Sequence, residues 1–143
     1  MLTNVKKFMR SIVISLTCIC ISFAILDAFW LGYFATNWYQ TEMQSLMRSQ
    51  FITWPWLIFY LIYTSVTFLL AVLPNREKLW TYAAIDGALL GLASYGAYNL
   101  TAYSIIEGFT LKIMLTDWVW GTFLTSCCAT AGWFGFQAYC KKS

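Results

Sequence analysis

Four stretches of this chain contain no Asp, Glu, Lys or Arg: residues 11–26, 49–75, 87–106 and 118–140. Nothing else in the sequence constrains the fold as strongly. A helix needs about 20 apolar residues to cross the ~30 Å hydrocarbon layer of a bilayer. A strand with an open edge would leave backbone groups unpaired there. Allowing one Asp inside three of the segments, the sequence predicts helices at 9–34, 54–73, 82–106 and 112–138, in a single domain covering residues 1–143. The fold class is all-α, an integral membrane four-helix bundle. Only 10% of the residues are charged, against roughly 25% in ordinary globular domains. So low a charge content excludes disorder, a coiled coil and a nucleic-acid-binding module. The chain has no histidine, which excludes an imidazole base, a His-ligated haem and a His-rich di-iron site.

The helix ends carry physical markers. Thr53 is placed to cap the second helix, with Pro55 in its first turn, where a missing N–H costs nothing. Pro74 and Asn75 close that helix, Gly108 ends the third, and Thr110 is placed to cap the fourth. Trp38, Trp54, Trp56, Trp80 and Tyr82 lie near these ends, where amphipathic rings favour the headgroup layer. Lys6, Lys7, Arg10, Arg76, Lys78, Lys141 and Lys142 fall on one side of the predicted bundle, against Arg48 and Lys112 on the other. The positive-inside rule therefore predicts N and C termini in the cytoplasm, as expected for a multi-pass membrane protein with an even number of spans.

The first 26 residues mimic a secretory signal, with a basic start and an apolar run. Cleavage is not expected, because the apolar stretch continues past Asp27 to full spanning length. Ser15-Leu16-Thr17-Cys18 also matches a lipoprotein cleavage site poorly. In the 37–51 connector, Tyr39, Met43, Leu46, Met47 and Gln50 recur at helical spacing. That pattern predicts a short amphipathic helix on the outer surface, either a plain connector or a lid.

Negative charge inside the apolar segments is the main functional signal. Asp27, Asp86 and Asp117 all fall within predicted spans. An acid at mid-membrane costs roughly 2.5–3.5 kcal/mol on insertion scales, and such residues usually face the bundle interior and mark a site or pathway. The 1.5 Å helical rise puts Asp27 and Asn99 about 10 Å below the outer edge of the hydrocarbon, and Asp117 about 8 Å below it. Trp30 and Trp120 each follow an acid by three residues, on the same helix face. In the third helix Gly87, Gly91, Tyr95, Asn99 and Tyr103 form a drifting stripe, and Tyr60 and Tyr63 reach a similar depth from the second. The convergence predicts a polar, aromatic-lined cavity opening to the outer side. Two acids in one low-dielectric layer should not both ionise, so one is expected to keep its proton, or a cation to sit between them. The alternative is that both acids only glue helices together through hydrogen bonds. Asp86, near the cytoplasmic end, is expected to pair with a base or a headgroup.

Weaker patterns add little. Cys18, Cys20, Cys127 and Cys128 read as small apolar fillers, at spacings poorly suited to tetrahedral metal binding. A lipid anchor on Cys140 has no support in the pattern. No metal and no cofactor is expected. Gly87, Gly91, Gly132 and Gly135 read first as close packing within the bundle and second as a face for a homo-oligomer. Asp27-Ala28-Phe29-Trp30 and Asp117-Trp118-Val119-Trp120 resemble each other in helices of opposite direction, a hint of an inverted repeat.

Several stretches taken together resemble a known family. They are Leu26-Asp27-Ala28-Phe29-Trp30-Leu31-Gly32, Trp54-Pro55-Trp56 followed by Phe59-Tyr60 and Tyr63, Gly87-Ala88-Leu89-Leu90-Gly91 running to Tyr98-Asn99-Leu100-Thr101, and Asp117 with Trp120-Gly121-Thr122. Their order and spacing are similar to the small bacterial membrane proteins catalogued as domain of unknown function 2177. The resemblance covers nearly the whole chain. It implies four transmembrane helices in one domain and no particular activity. Asn99 stands where many members of that family carry an Asp after the tyrosine, which counts against a carboxylate triad.

The leading expectation is a protein that binds or transports a small lipophilic or cationic ligand. Asp27, Asp117 and Asn99 would meet its polar group, and Trp30, Tyr60, Tyr95, Tyr103 and Trp120 would wall the site. The alternatives are an intramembrane enzyme, or enzyme partner, acting on lipid or an isoprenoid, and a structural accessory subunit. Expected partners are membrane lipids, that ligand and a second copy of the chain. Nucleic acid is not among them.

Overall fold

In the computed structural model of the chain, the described residues are 2–35, 39, 41–42, 48 and 50–140, and they contain helices and no strand. Four long helices follow one another. The first, α1, spans Leu2–Phe29 and runs on as a π-helical segment, Trp30–Ala35. The second, α2, spans Trp54–Thr67, then widens into a π-helical segment, Phe68–Val72, and ends in a 3-10 turn, Leu73–Asn75. Then come α3, Trp80–Ile105, and α4, Leu111–Cys140. The boundaries agree with the sequence reading to within a few residues, except that α1 starts at Leu2 and not near residue 9. Charge marks where the lipid ends, whereas the backbone stays helical through Lys6, Lys7 and Arg10 because lysine and arginine are good helix formers.

Two stretches, Asn4–Tyr33 and Trp54–Asn75, are long and apolar enough on composition alone to cross a membrane. In α3 and α4 the mean hydropathy is diluted by glycine, serine, threonine, tyrosine and tryptophan; Gly87, Gly91, Gly96 and Gly121 lie where the two helices meet, whereas Trp80, Tyr82, Tyr98 and Tyr103 face outward. The outside of the bundle is the inverse of a soluble protein. Leu57, Leu61 and Val119 are each about two-thirds exposed or more (67%, 72% and 68%), and Val13, Ile25 and Leu89 are exposed as well. Trp54, Trp56, Trp80 and Tyr82 are exposed at helix ends, where the headgroup layer suits them.

α4 packs most extensively against α3, and next against α1. Close approach explains the first contact: a Cβ at Gly91 would lie 2.6 Å from the Gly121 carbonyl oxygen. On the other side, a Cβ at Gly132 would meet Ile19 at 2.5 Å. The glycines of both helices are therefore spent within the bundle. Interhelical hydrogen bonds reinforce the seams. Ser15 donates to the Gly132 carbonyl at 2.8 Å, Ser126 to Ala84 at 2.9 Å and the Trp118 indole to Leu92 at 2.8 Å. Ile19, Phe23, Tyr63, Phe68, Val72 and Phe136 belong to the main core. A second cluster of Ala102, Phe109, Ile113 and Met114 closes the α3–α4 end, with Tyr39 packed against it.

The caps divide the expectations. Thr110 caps α4 as the sequence suggests, its Oγ1 accepting from the Ile113 N–H at 3.3 Å. Thr53 does not: its backbone is already helical and its side chain makes no cap bond, although Pro55 does occupy the first turn. Gly108 does not end α3 itself. Ile106 turns extended after Ile105, and Gly108 makes the following turn at φ 86°. Tyr39, Thr41 and Glu42 are helical. Met43, Leu46 and Met47, which carry most of the expected surface helix, lie outside the described residues.

Candidate functional site

Asp27 and Asp117 turn inward and are held by different partners. Asp27, on α1, accepts from the Tyr60 hydroxyl of α2 at 2.5 Å and from the Trp120 indole of α4 at 3.4 Å. Asp117, on α4, accepts from the Asn99 amide of α3 at 2.7 Å and from the Tyr39 hydroxyl at 2.9 Å. The sets meet through aromatic rings. Trp30 and Trp120 stack with centroids 4.4 Å apart and planes 9° from parallel, and Trp30 lies beside the Tyr39 phenol. The Tyr95 phenol lies within electrostatic reach of Asp27, Tyr63, Asp117 and Tyr60. Its ring is laid flat on α4, since a Cβ at Gly121 would fall 2.0 Å from Tyr95 Cγ. The two similar Asp-x-x-Trp segments are thus brought together ring on ring.

Asn99 is the most constrained member. It is completely buried, and its amide nitrogen donates to Asp117 and, at 3.0 Å, to the Tyr95 carbonyl. Its Oδ1 is buried and finds no hydrogen-bond partner among the described residues. A buried amide oxygen left without a donor is uncommon and costs about 1–3 kcal/mol. Tyr39, in the connector, is buried enough, and close enough to Asp117, for its phenol to titrate above the ordinary range. It stays protonated and keeps donating.

Of the eight residues singled out from the sequence, seven are gathered here: Asp27, Trp30, Tyr60, Tyr95, Asn99, Asp117 and Trp120. Tyr103 is the correction. It is 45% exposed, on the outside of α3. Each step of four residues overshoots a full turn by about 40°, and by Tyr103 the stripe has rotated out of the bundle. Ala102 takes the buried position instead. The expected opening is also corrected. The polar groups close on one another, and the nearby free volume, about 490 Å³, is a groove on the flank of the bundle lined by Trp30, Leu115, Thr116, Val119, Trp120 and Phe123. A larger cleft of about 950 Å³ lies far from the acids, at the α2–α3 turn, between Phe8, Arg76, Lys78, Tyr82, Trp133 and Gln137.

Near that turn Asp86 has an amide for a protein partner, not the base expected. Asn75 donates to Asp86 at 2.5 Å, while the Lys78 ammonium donates to the Asn75 oxygen at 3.0 Å and the Trp133 indole to the Asn75 carbonyl at 3.0 Å. Asn75 thus inserts itself between acid and base. Sequence reasoning also missed a buried hub in mid-bundle. The Tyr63 hydroxyl lies 2.8 Å from Ser94 Oγ and 2.9 Å from Thr125 Oγ1. Tyr39 was visible only as one face of an amphipathic pattern, with no signal that the connector folds back onto Asp117.

Fold, exposed apolar surface and buried polar layer together define a small helical membrane protein. The model of the family described as "Predicted membrane protein (DUF2177)" matches residues 12–134, and the chain belongs to that family. No curated protein and no solved structure matches it.

Proposed function

We propose that the chain crosses a bacterial cytoplasmic membrane four times, with both termini inside, and binds or transports a small lipophilic ligand bearing a cationic or hydrogen-bond-donating group. The basic residues, concentrated toward the termini and the 76–78 turn, support that orientation. One observation carries the ligand: Asn99 Oδ1 lies buried and undonated beside a carboxylate. Asn99 and Asp117 together present oxygen acceptors, and an ammonium or hydroxyl supplies the donor that this oxygen lacks. The adjoining groove, lined by Val119, Phe123 and the tryptophan pair, suits an apolar tail. An ammonium seated in the groove against the tryptophan pair also gains cation–π attraction of about 0.5–2 kcal/mol.

Dodecylammonium added to the protein in nanodiscs tests this reading. It should quench tryptophan fluorescence saturably, with much of the signal lost in Trp120→Phe, and dodecyl sulfate should not. Asp117→Asn and Asp27→Asn should abolish the saturable phase. Full binding in both variants removes the proposal. A second reading has a specific observation behind it, because each acid already accepts from two protein donors. In that reading the acids are packing glue, and the same variants lose stability while no ligand response exists to be lost.

A further inference from the structure

The cleft at the α2–α3 turn, about 950 Å³ in volume, takes no part in the outer site. Its size nevertheless falls at the upper end of the range for ligand sites, roughly 300–1,000 Å³. Aromatic rings form its inner wall. Trp133 and Phe136 are almost wholly buried, and Phe8 stands edge-on to Phe136 with centroids 5.8 Å apart. The rim is polar and basic, with Arg76 and Lys78 on the turn and Gln137 on α4. Next along the chain, Leu79, Trp80 and Tyr82 are exposed. On a bundle with an apolar exterior, exposed Trp and Tyr at the start of a helix mark the headgroup layer. The cleft therefore lies where phosphate groups meet acyl chains.

The fold holds the basic groups in place. The Trp133 indole donates to the Asn75 carbonyl at 3.0 Å and the Gln137 amide to the Arg76 carbonyl, which pins the turn to α4. The Lys78 ammonium donates to Asn75 Oδ1 at 3.0 Å and lies 5.4 Å from the centre of the Tyr82 ring. Asn75 is itself buried and anchored by its amide on Asp86 and on the Ala71 carbonyl. Because this amide stands between Asp86 and Lys78, the ammonium is positioned without being neutralised by that acid. A free lysine loses much rotamer freedom on gripping an anion, and Lys78 has already lost part of it. Arg76 donates to the Leu73 carbonyl at 3.1 Å, and its other terminal nitrogen meets Glu77 at 3.0 Å. Glu77 is exposed, and exposed ion pairs are weak, so a better-placed anion displaces it. Lys6, Lys7 and Arg10 flank Phe8 on α1 and make the field around the cleft positive.

We propose that this cleft binds the headgroup phosphate of an anionic phospholipid. The Arg76 fork takes phosphate oxygens side by side, and Lys78 supplies a fixed point charge. The glycerol and the first part of the acyl chains lie against Phe8 and the edges of Trp133 and Phe136. Basic pockets between membrane helices suit anionic headgroups for the same reason. Free phosphate or glycerol phosphate carries the same charged group but has nothing to lay on the rings. The inference requires only that the chain lies in a bilayer. It uses no residue of the outer site, so either reading can fail without the other.

The test is native mass spectrometry of the delipidated protein in detergent micelles, titrated with dioleoylphosphatidylglycerol and read as occupancy by the first lipid. Phosphatidylglycerol should bind about thirtyfold more tightly than dioleoylphosphatidylcholine, whose choline cation faces the same basic pair; this corresponds to about fivefold for each basic residue. Arg76→Gln with Lys78→Gln should erase the preference. Lys6→Gln with Lys7→Gln, an equal change of charge outside the cleft, should keep it. Glu77→Gln removes the acid that competes for Arg76 and should tighten phosphatidylglycerol binding about fivefold. That side chain is too exposed for its loss to unfold the protein, so this arm reads out even where the Arg76 and Lys78 pair does not fold. Glycerol phosphate at the lipid's concentration should displace none of it. Equal binding of the two lipids overturns the proposal, as do equal losses in the two double variants. Unchanged or weaker binding in Glu77→Gln, or displacement by glycerol phosphate, overturns it too.

Discussion

Replacing Gly121 by alanine probes the seam that sets the site's geometry. An ideal Cβ at this position would lie 2.0, 2.1 and 2.4 Å from Cγ, Cδ1 and Cδ2 of Tyr95. Carbon atoms settle at about 3.5–4.0 Å, so the ring must retreat by roughly 1.5 Å. Tyr95 Cγ is one bond from Cβ, and turning the ring about its own axis does not move it. The relief has to come from a different rotamer or from separating α3 and α4. Separation is opposed by the contact of Gly91 with the Gly121 carbonyl one turn earlier on α3. Overpacking a core costs typically 1–3 kcal/mol, and so rigid a clash belongs at about 3 kcal/mol. Against that stands the better helix propensity of alanine, worth about 1 kcal/mol. The net expectation is a loss of about 2 kcal/mol, read as a shift in reversible unfolding by dodecyl sulfate in mixed micelles, followed by far-UV circular dichroism.

The argument has an internal control and a cycle. Gly32→Ala, where an added Cβ meets nothing within 4 Å, should not destabilise and should gain up to about 1 kcal/mol from helix propensity. Tyr95→Ala removes the ring, so adding Gly121→Ala to it should cost nothing further, giving a coupling energy of about 2–3 kcal/mol between the positions. If Gly121→Ala costs as much without the ring as with it, the ring-on-glycine contact is not what holds Tyr95 among the acids.

Two further substitutions test elements outside the site. Gly108→Ala should destabilise by about 1–2 kcal/mol, since only glycine holds φ 86° without strain, and Gly108→Asn should recover part of it. The same unfolding titration reads both, and no loss in the alanine variant would contradict the turn geometry. Asn75→Leu removes the amide that separates Asp86 from Lys78, a bond to a charged group worth about 1.5–3 kcal/mol. If Asp86 and Lys78 pair directly in the variant, recovering that stability, a further Lys78→Gln change should become much more damaging than in the parent.

What the sequence could tell depended on whether a residue was unusual in its own segment. Asp27 and Asp117 stood out because an acid in an apolar run has few reasons to be there. Their aromatic neighbours followed from helical spacing, which fixes direction within one helix. Spacing fails where helices must be related to one another or where small errors accumulate. Tyr103 belongs to the stripe in sequence, where four-residue steps look constant, and leaves it in space, where each step rotates. Gly121 carries no signal of its own, because its role is written in the ring of Tyr95, 26 positions away. Tyr39 reaches Asp117 only because a connector folds back, and amphipathic periodicity sets a face without naming what that face covers. The acids thus locate the layer from sequence, whereas the group that gives it chemistry, an amide oxygen with no donor among the described residues, shows only in the hydrogen-bond pattern of the folded chain.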